Sequence, residues 1–174
     1  LSRNDGLSIE QAFIKRAMDI GISLFMLILT SPILIVTALA IKLYDRGPVF
    51  FYQERCTKNG KIFLICKFRS MIVDAEKSGI SIPATDHDPR ITPVGRLIRK
   101  VRIDELPQLL NILKGDMSLV GPRPERIEHV NMYSDSIPEF AYRLKVKGGL
   151  TGYAQVYGKY NTTAYDKLKM DLMY

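Results

Sequence analysis

Tryptophan is absent from this 174-residue chain, which has only two cysteines and two histidines. Cys56 and Cys66 have no histidine near them, so neither a zinc site nor a disulfide framework is suggested. A reduced, cytosol-facing domain is the expectation. Aromatic residues make up 9% of the chain, and with no tryptophan and no recognition motif a nucleic-acid partner is not expected. Repeats and low-complexity tracts are missing. So is a secretory signal: the one long apolar run exceeds a signal core, and no cleavage-like stretch of small residues follows it.

Positive charge is what the chain has in excess. Lys and Arg number 25 against 18 Asp and Glu, a formal charge of +7, which points to an anionic partner such as nucleic acid, a lipid surface or a phosphorylated substrate. The length suits about one domain with a sizeable core. The chain opens on Leu1 rather than Met and stops at Tyr174 inside a helical pattern, so a trimmed fragment is expected. Its parts read as a lead-in over 1–16, a membrane segment over 17–46 and a cytosolic domain over 47–174 whose C-terminus is cut short.

No charged residue occurs from Ile20 to Ile41, a window long enough to cross a bilayer as a straight helix. A spanning helix, a re-entrant or interfacial hairpin and a buried soluble helix all fit that length. Two features favour the hairpin. Pro32 removes a helical hydrogen bond near the midpoint and costs roughly 3 kcal/mol in a regular helix, while Ser31 can return its hydroxyl to a freed carbonyl of the preceding turn. Basic residues also flank both ends: Lys15 and Arg16 before, Lys42, Arg46, Arg55, Lys58 and Lys61 after. Positive flanks favour the cytoplasmic side. A helix that breaks at Ser31 and Pro32 and returns satisfies both flanks. Each arm of about 11 residues then reaches about 16 Å, roughly half the hydrocarbon core.

Beyond Gly47 and Pro48 the pattern becomes that of a soluble domain. Two β-prone stretches, 49–55 and 62–68, bracket Asn59-Gly60, a strong hairpin signal because both positions of a type I′ turn need positive φ. Lys67 and Arg69 would project from one face of the second strand, as solvated edge charges or as ligands. Residues 74–93 read as loop. "GRLIRKVR" follows as a short basic helix.

"DELPQLLNILKGD" (104–116) is the stretch that carries chemistry. Asp104 is placed to cap a helix with Pro107 in its first turn, Leu106, Leu109, Leu110 and Leu113 as its apolar stripe, and Gly115 as its stop. First-turn acids are commonly plain caps. The same dipole keeps a carboxylate ionised, and an ionised Asp beside a second acid and several cations could attack a phosphate or hold Mg²⁺. In "MSLVGPRPE" (117–125), two prolines flank Arg123. Either they fix its fork for phosphate recognition, or the segment is a surface turn leading into a helix with Pro124 at its first position.

In their order, "KRAMDI", the "SP" within the apolar run, "GPVFFYQER", "KFRSM", "DPRITPVGRLIRK", "DELPQLLNILKGDMSLVGPRPE" and "GLTGYAQVYGK" resemble the monotopic phosphoglycosyl transferases, or bacterial sugar transferases, from Lys15 to Tyr174. The resemblance implies transfer of a sugar-1-phosphate from a nucleotide diphosphosugar, a UDP-sugar, to polyprenyl (undecaprenyl) phosphate at the cytoplasmic leaflet of the bacterial inner membrane, with Mg²⁺. It is the first membrane step of glycoconjugate or exopolysaccharide synthesis. The family's acid pair falls on Asp104, as covalent nucleophile, and Glu105, which helps hold the metal or assists proton transfer; both are expected metal ligands. Substrate and phosphate contacts fall on Lys67, Arg69, Arg96, Arg123, Gln155 and Lys159. Two positions depart from the family pattern: Gly148 stands where Pro often precedes "GLTG", and Lys159 stands where Arg is common, which keeps the charge but loses the fork. The chain would be the catalytic module of a larger member, and a homodimer is an open arrangement.

The expected fold is α+β and helix-rich: a re-entrant membrane helix broken at Ser31-Pro32, then a small cytosolic domain with a β-hairpin and several short amphipathic helices. The alternative from another class is a non-catalytic, membrane-anchored basic adaptor binding anionic lipid. It explains the charge and the apolar run but not the acid pair.

Overall fold

The computed structural model describes residues 8–75, 88–158 and 163–173. In chain order, helix α1 covers Ile9–Asp45, strands β1 and β2 cover Phe50–Cys56 and Ile62–Phe68, and helices α2 and α3 cover Pro93–Lys100 and Gln108–Lys114. Strand β3 (Ser118–Val120), helix α4 (Ile127–Ser136), strand β4 (Gly149–Thr151), α5 (Tyr153–Tyr157) and α6 (Ala164–Asp171) follow, with 3-10 segments at Lys58–Gly60, Ile103–Glu105 and Pro138–Lys145. The α+β, helix-rich expectation holds. The strands form two two-stranded sheets, β1 with β2 and β3 with β4.

Helix α1 runs without a gap through Ser31 and Pro32, so the expected interruption is not a loss of helix there. The prolyl nitrogen would have bonded the carbonyl of Ile28, and Ser31 Oγ donates to that carbonyl instead at 2.8 Å. The polar defect is repaired from within the segment, which is what an apolar surrounding requires. The helix is long and apolar enough to cross a membrane. Many of its large side chains face outward, Ile28 being 66% and Val36 65% exposed, unlike those of a soluble core helix.

The turn between β1 and β2 uses the residues read from the sequence. Asn59 (φ 60°) and Gly60 (φ 72°) both have positive φ, and the loop is closed by Thr57 N donating to the Lys61 carbonyl at 2.9 Å. The loop is one residue longer than a bare Asn-Gly hairpin, because Lys58 joins Asn59 and Gly60 in a 3-10 turn.

The chain packs as two compact units. The first comprises Leu1–Met26, Gln53–Ile65 and Gln108–Tyr174. Its core gathers Cys56, Val130, Phe140 and Leu168. The start of α1 is bound by polar contacts: Arg16 donates to the carbonyls of Ile112 and Leu113 at 2.6 and 2.7 Å, a cation at the C-terminal end of α3 where the helix dipole favours it. Buried Asp19 accepts from Ser118 Oγ at 2.8 Å and from Leu119 N at 3.0 Å. Strands β3 and β4 are parallel, Ser118 opposite Gly149 and Val120 opposite Thr151. A β-carbon on Gly149 would stand 2.2 Å from the Gly121 nitrogen, so this crossing admits only glycine. Gly148 N donates to Thr57 Oγ1 at 3.0 Å, a bond that a proline at this position could not make.

The second unit comprises Leu27–Tyr52 and Cys66–Pro107. Ile41, Phe68 and Ile98 form its core with Leu34, Ala38, Val49, Val94 and Ile103 against them. Thr92 caps α2 by accepting from Gly95 N at 2.9 Å.

Candidate functional site

Asp104 and Glu105 sit in the 3-10 turn Ile103–Glu105, in the second unit. The cap expectation is corrected: α3 begins only at Gln108, so neither Asp104 as cap nor Pro107 as first-turn residue is observed. Helix α3 does stop where expected, at Gly115 with φ 97°. The turn is entered through Arg102, whose φ of 61° and ψ of 17° are left-handed. That conformation costs a non-glycine residue of order 1 kcal/mol and is concentrated at functional sites.

The two acids have different surroundings. Glu105 Oε1 accepts from Lys67 Nζ at 3.0 Å and lies 3.9 Å from Arg102 Nη1. Asp104 Oδ1 is buried with no hydrogen-bond partner. Burial, and then the charge of Glu105, push the Asp104 carboxyl above its ordinary value of 3.8, against the opposing pull of Lys67, Arg99 and Arg102. An orphaned carboxylate oxygen is costly, and it is relieved by a cation or by bond formation to an electrophile. Among the described residues no group of three or more His, Cys, Asp or Glu could hold a metal. Two adjacent carboxylates with one free oxygen still fit Mg²⁺, which is usually bound by one or two carboxylates together with substrate phosphates.

The other expected site residues are distributed unevenly. Lys67 joins Glu105 as a half-buried ion pair, so the solvated-edge alternative does not describe it. Arg69 is 6% exposed, and its guanidinium is committed elsewhere: Nη1 donates to Asp45 Oδ2 at 2.6 Å, Nη2 to Asp45 Oδ1, and Nε to the Pro48 carbonyl at 2.6 Å. Arg69 therefore fastens the end of α1 to the start of the hairpin. Arg96 is exposed on α2.

Arg123 and Gln155 belong to the first unit. Arg123 is half-buried in the Gly121–Pro124 turn. Gly121 N donates to the Thr151 carbonyl, and Gly149 N to that of Pro122, at 2.9 and 2.8 Å. Pro124 does not open a helix, since α4 starts at Ile127 with Arg126 before it. Both amide atoms of Gln155, on α5, are buried without a partner. Lys159 lies outside the described residues. Arg99 and Arg102 were missed as neighbours of the acids, although both stand within the basic run just before them. The pairs Arg69 with Asp45 and Arg143 with Asp171 had no local signal at all.

The described residues thus combine a long apolar helix with many outward-facing side chains and an α+β module whose acid pair lies beside Lys67 and Arg102. The chain matches the family model for bacterial sugar transferases over residues 10–174 and belongs to that family. A protein of Aeromonas hydrophila, UDP-N-acetylgalactosamine-undecaprenyl-phosphate N-acetylgalactosaminephosphotransferase, is 48% identical over 94% of this chain and 39% of its own length. The UDP-glucose:undecaprenyl-phosphate glucose-1-phosphate transferase of Escherichia coli is 45% identical over 87% of this chain and 32% of its own. An undecaprenyl-phosphate galactose phosphotransferase of Salmonella typhimurium is 41% identical, with 88% and 34% covered. The chain thus spans about a third to two fifths of the length of these relatives. All three are named as transferases acting on undecaprenyl phosphate, so the adaptor alternative finds no support.

Proposed function

We propose that this chain moves a sugar-1-phosphate from a UDP-sugar to undecaprenyl phosphate through a phosphosugar carried on Asp104. The observation that carries the reading is the buried, unpartnered Oδ1 of Asp104 beside the Lys67–Glu105 ion pair. The carboxylate oxygen of Asp104 attacks the β-phosphorus, the bond from that phosphorus to the bridging oxygen breaks, and uridine monophosphate leaves with the electron pair. An oxygen of the lipid phosphate then attacks the same phosphorus, freeing Asp104 and leaving a lipid diphosphosugar. Lys67 holds Glu105 in place and offsets charge on the phosphates, and Arg123 binds the diphosphate with its fork. Asp104 and Glu105 would hold Mg²⁺, which when bound neutralises diphosphate charge. The relatives' names span N-acetylgalactosamine, glucose and galactose, so the sugar is left general. The product fits the first membrane step of glycoconjugate or exopolysaccharide synthesis. Release of uridine monophosphate from a panel of UDP-sugars, with and without undecaprenyl phosphate and Mg²⁺, tests the reading, and no release from any of them would end it.

The acid limb of the rate profile follows from the raised Asp104 carboxyl. The nucleophile must be ionised, so activity falls as pH is lowered through that raised value, and the limb lies above 3.8, the ordinary aspartate value. Removing the neighbouring charge with Glu105→Gln should move the limb to lower pH in a plot of kcat/KM against pH. A limb that stays put would detach it from Asp104.

The same reading bends α1 at Ser31 and Pro32, without loss of helix, so that it enters the cytoplasmic leaflet of the inner membrane and returns on the same side. Both basic flanks then remain cytoplasmic. Cysteines introduced near residues 12 and 58 should both react with a membrane-impermeant maleimide from the cytoplasmic side only. Labelling from opposite sides would restore a spanning helix.

A further inference from the structure

Two arginines that the mechanism does not use are held against the backbone of the Arg123 turn, within the first unit. Arg143 is 6% exposed. Its Nη2 donates to the Arg123 carbonyl at 2.9 Å and meets Asp171 Oδ2 at 2.8 Å. Its Nη1 lies 3.8 Å from Glu125 Oε1, and its guanidinium carbon stands 4.7 Å above the Phe140 ring. Arg55 Nη1 donates to the next carbonyl, that of Pro124, at 3.3 Å and lies 3.9 Å from Glu125 Oε2. Two consecutive carbonyls are thus each gripped by an arginine.

Stability alone gives no reason for this arrangement. Burying a guanidinium and a carboxylate together costs about as much as their attraction returns, and apolar residues of similar volume do as well or better. The surroundings are apolar, with Phe140, Val130 and Leu168 in the same core, and Asp171 Oδ1 is left buried without a partner. Burial, the larger influence, pushes the Asp171 carboxyl up despite the adjacent Arg143. Direction is what the polar groups add.

The prolines fix φ at 122 and 124, and Arg123, preceding a proline, is confined to extended backbone. The freedom left in the turn is rotation about φ of Arg123, which swings the rigid Arg123–Pro124 peptide plane as a block. Its oxygen is the atom to which Arg143 donates.

We propose that Arg143, backed by Asp171, is a positioning residue that locks the Arg123–Pro124 peptide plane and so aims the Arg123 guanidinium at the nucleotide diphosphosugar. This rests on Arg123 being a substrate contact. The test is uridine monophosphate release against UDP-sugar concentration for full-length Arg143→Gln, Arg143→Lys and Asp171→Asn, each alone and combined with Arg123→Ala, with folded fraction read by circular dichroism. Arg143→Gln should raise KM about tenfold while kcat changes little, Arg143→Lys should recover most of the loss by donating to the same carbonyl, and neither should alter an enzyme that already lacks the Arg123 side chain. A folded Arg143→Gln enzyme with wild-type KM overturns the proposal, as does an equal penalty in the Arg123→Ala background. If Arg143→Gln does not fold, Asp171→Asn is judged by the same coupling. Unaltered kinetics in Arg123→Ala alone would instead remove the reading of Arg123, and this inference with it.

Discussion

Asp104→Asn is expected to fold like the wild type and to release uridine monophosphate at least about a thousandfold more slowly, the loss usual for a covalent nucleophile. Asparagine keeps the volume of the half-buried side chain and removes the charge that has no partner on Oδ1, so the fold loses nothing it depends on. The chemistry loses its attacking oxygen. In wild-type enzyme given the correct UDP-sugar and no lipid, intact mass should rise by one phosphosugar, located on the peptide that holds Asp104, with a burst of uridine monophosphate. Glu105→Gln should slow turnover while retaining some adduct, because it removes the partner of Lys67 but not the nucleophile. Wild-type turnover in Asp104→Asn would move the covalent step to another residue or abolish it.

The largest expected effect on folding belongs to Gly95→Ala. A β-carbon there would stand 1.9 Å from the Ser70 carbonyl oxygen, 2.6 Å from its carbon and 2.8 Å from its Cα, all backbone atoms. Helix α2 would have to back away, losing the Thr92 N to Ser70 O bond of 3.1 Å and opening the packing of Ile98 on Phe68 and Ile41. Overpacking of this kind costs about 1 to 3 kcal/mol, and in a chain of this size that lowers Tm by roughly 2 to 12 °C. Because α2 carries Arg99, one of the charges that moderate the Asp104 carboxyl, activity should fall with stability. Gly21→Ala is the control: nothing lies within 4 Å of the added carbon, so its Tm should not fall. A Gly95→Ala protein as stable as this control would contradict the close approach.

Local chemistry explains which parts were legible in the sequence. Asn59-Gly60 announced its turn because few other residues tolerate positive φ at both positions. Ser31 announced its bond to the Ile28 carbonyl because only a short hydroxyl side chain can replace a proline's missing donor from within the same turn. The acid pair was visible, but its backbone was not. A 3-10 turn entered through a left-handed Arg102 is decided by what surrounds it, and the carboxylate followed by proline imitates a helix start. Arg69 shows the limit most plainly. Alternation along β2 put it beside Lys67 on one face, yet the strand ends at Phe68, and the next residue turns to an acid at the far end of the apolar helix. Pairings between residues distant in sequence, such as Arg69 with Asp45 or Arg143 with Asp171, leave no periodic trace.

The parallel pairing of β3 with β4 also bears on how the protein is made. The Gly121–Pro124 turn is pinned by the Thr151 carbonyl and by the nitrogen of Gly149, residues that a ribosome adds only after the whole of α4 and the segment Pro138–Lys145. At about 5 to 20 residues per second, α1 leaves the exit tunnel seconds before the partner strand exists, while the arginine turn is still unfastened. Arg143, which grips the turn, and Asp171, which backs Arg143, also follow the turn in the chain. A nascent chain arrested just short of Gly149 would therefore lack both bonds that pin the Gly121–Pro124 turn, so the turn takes its final form only once β4 has been made.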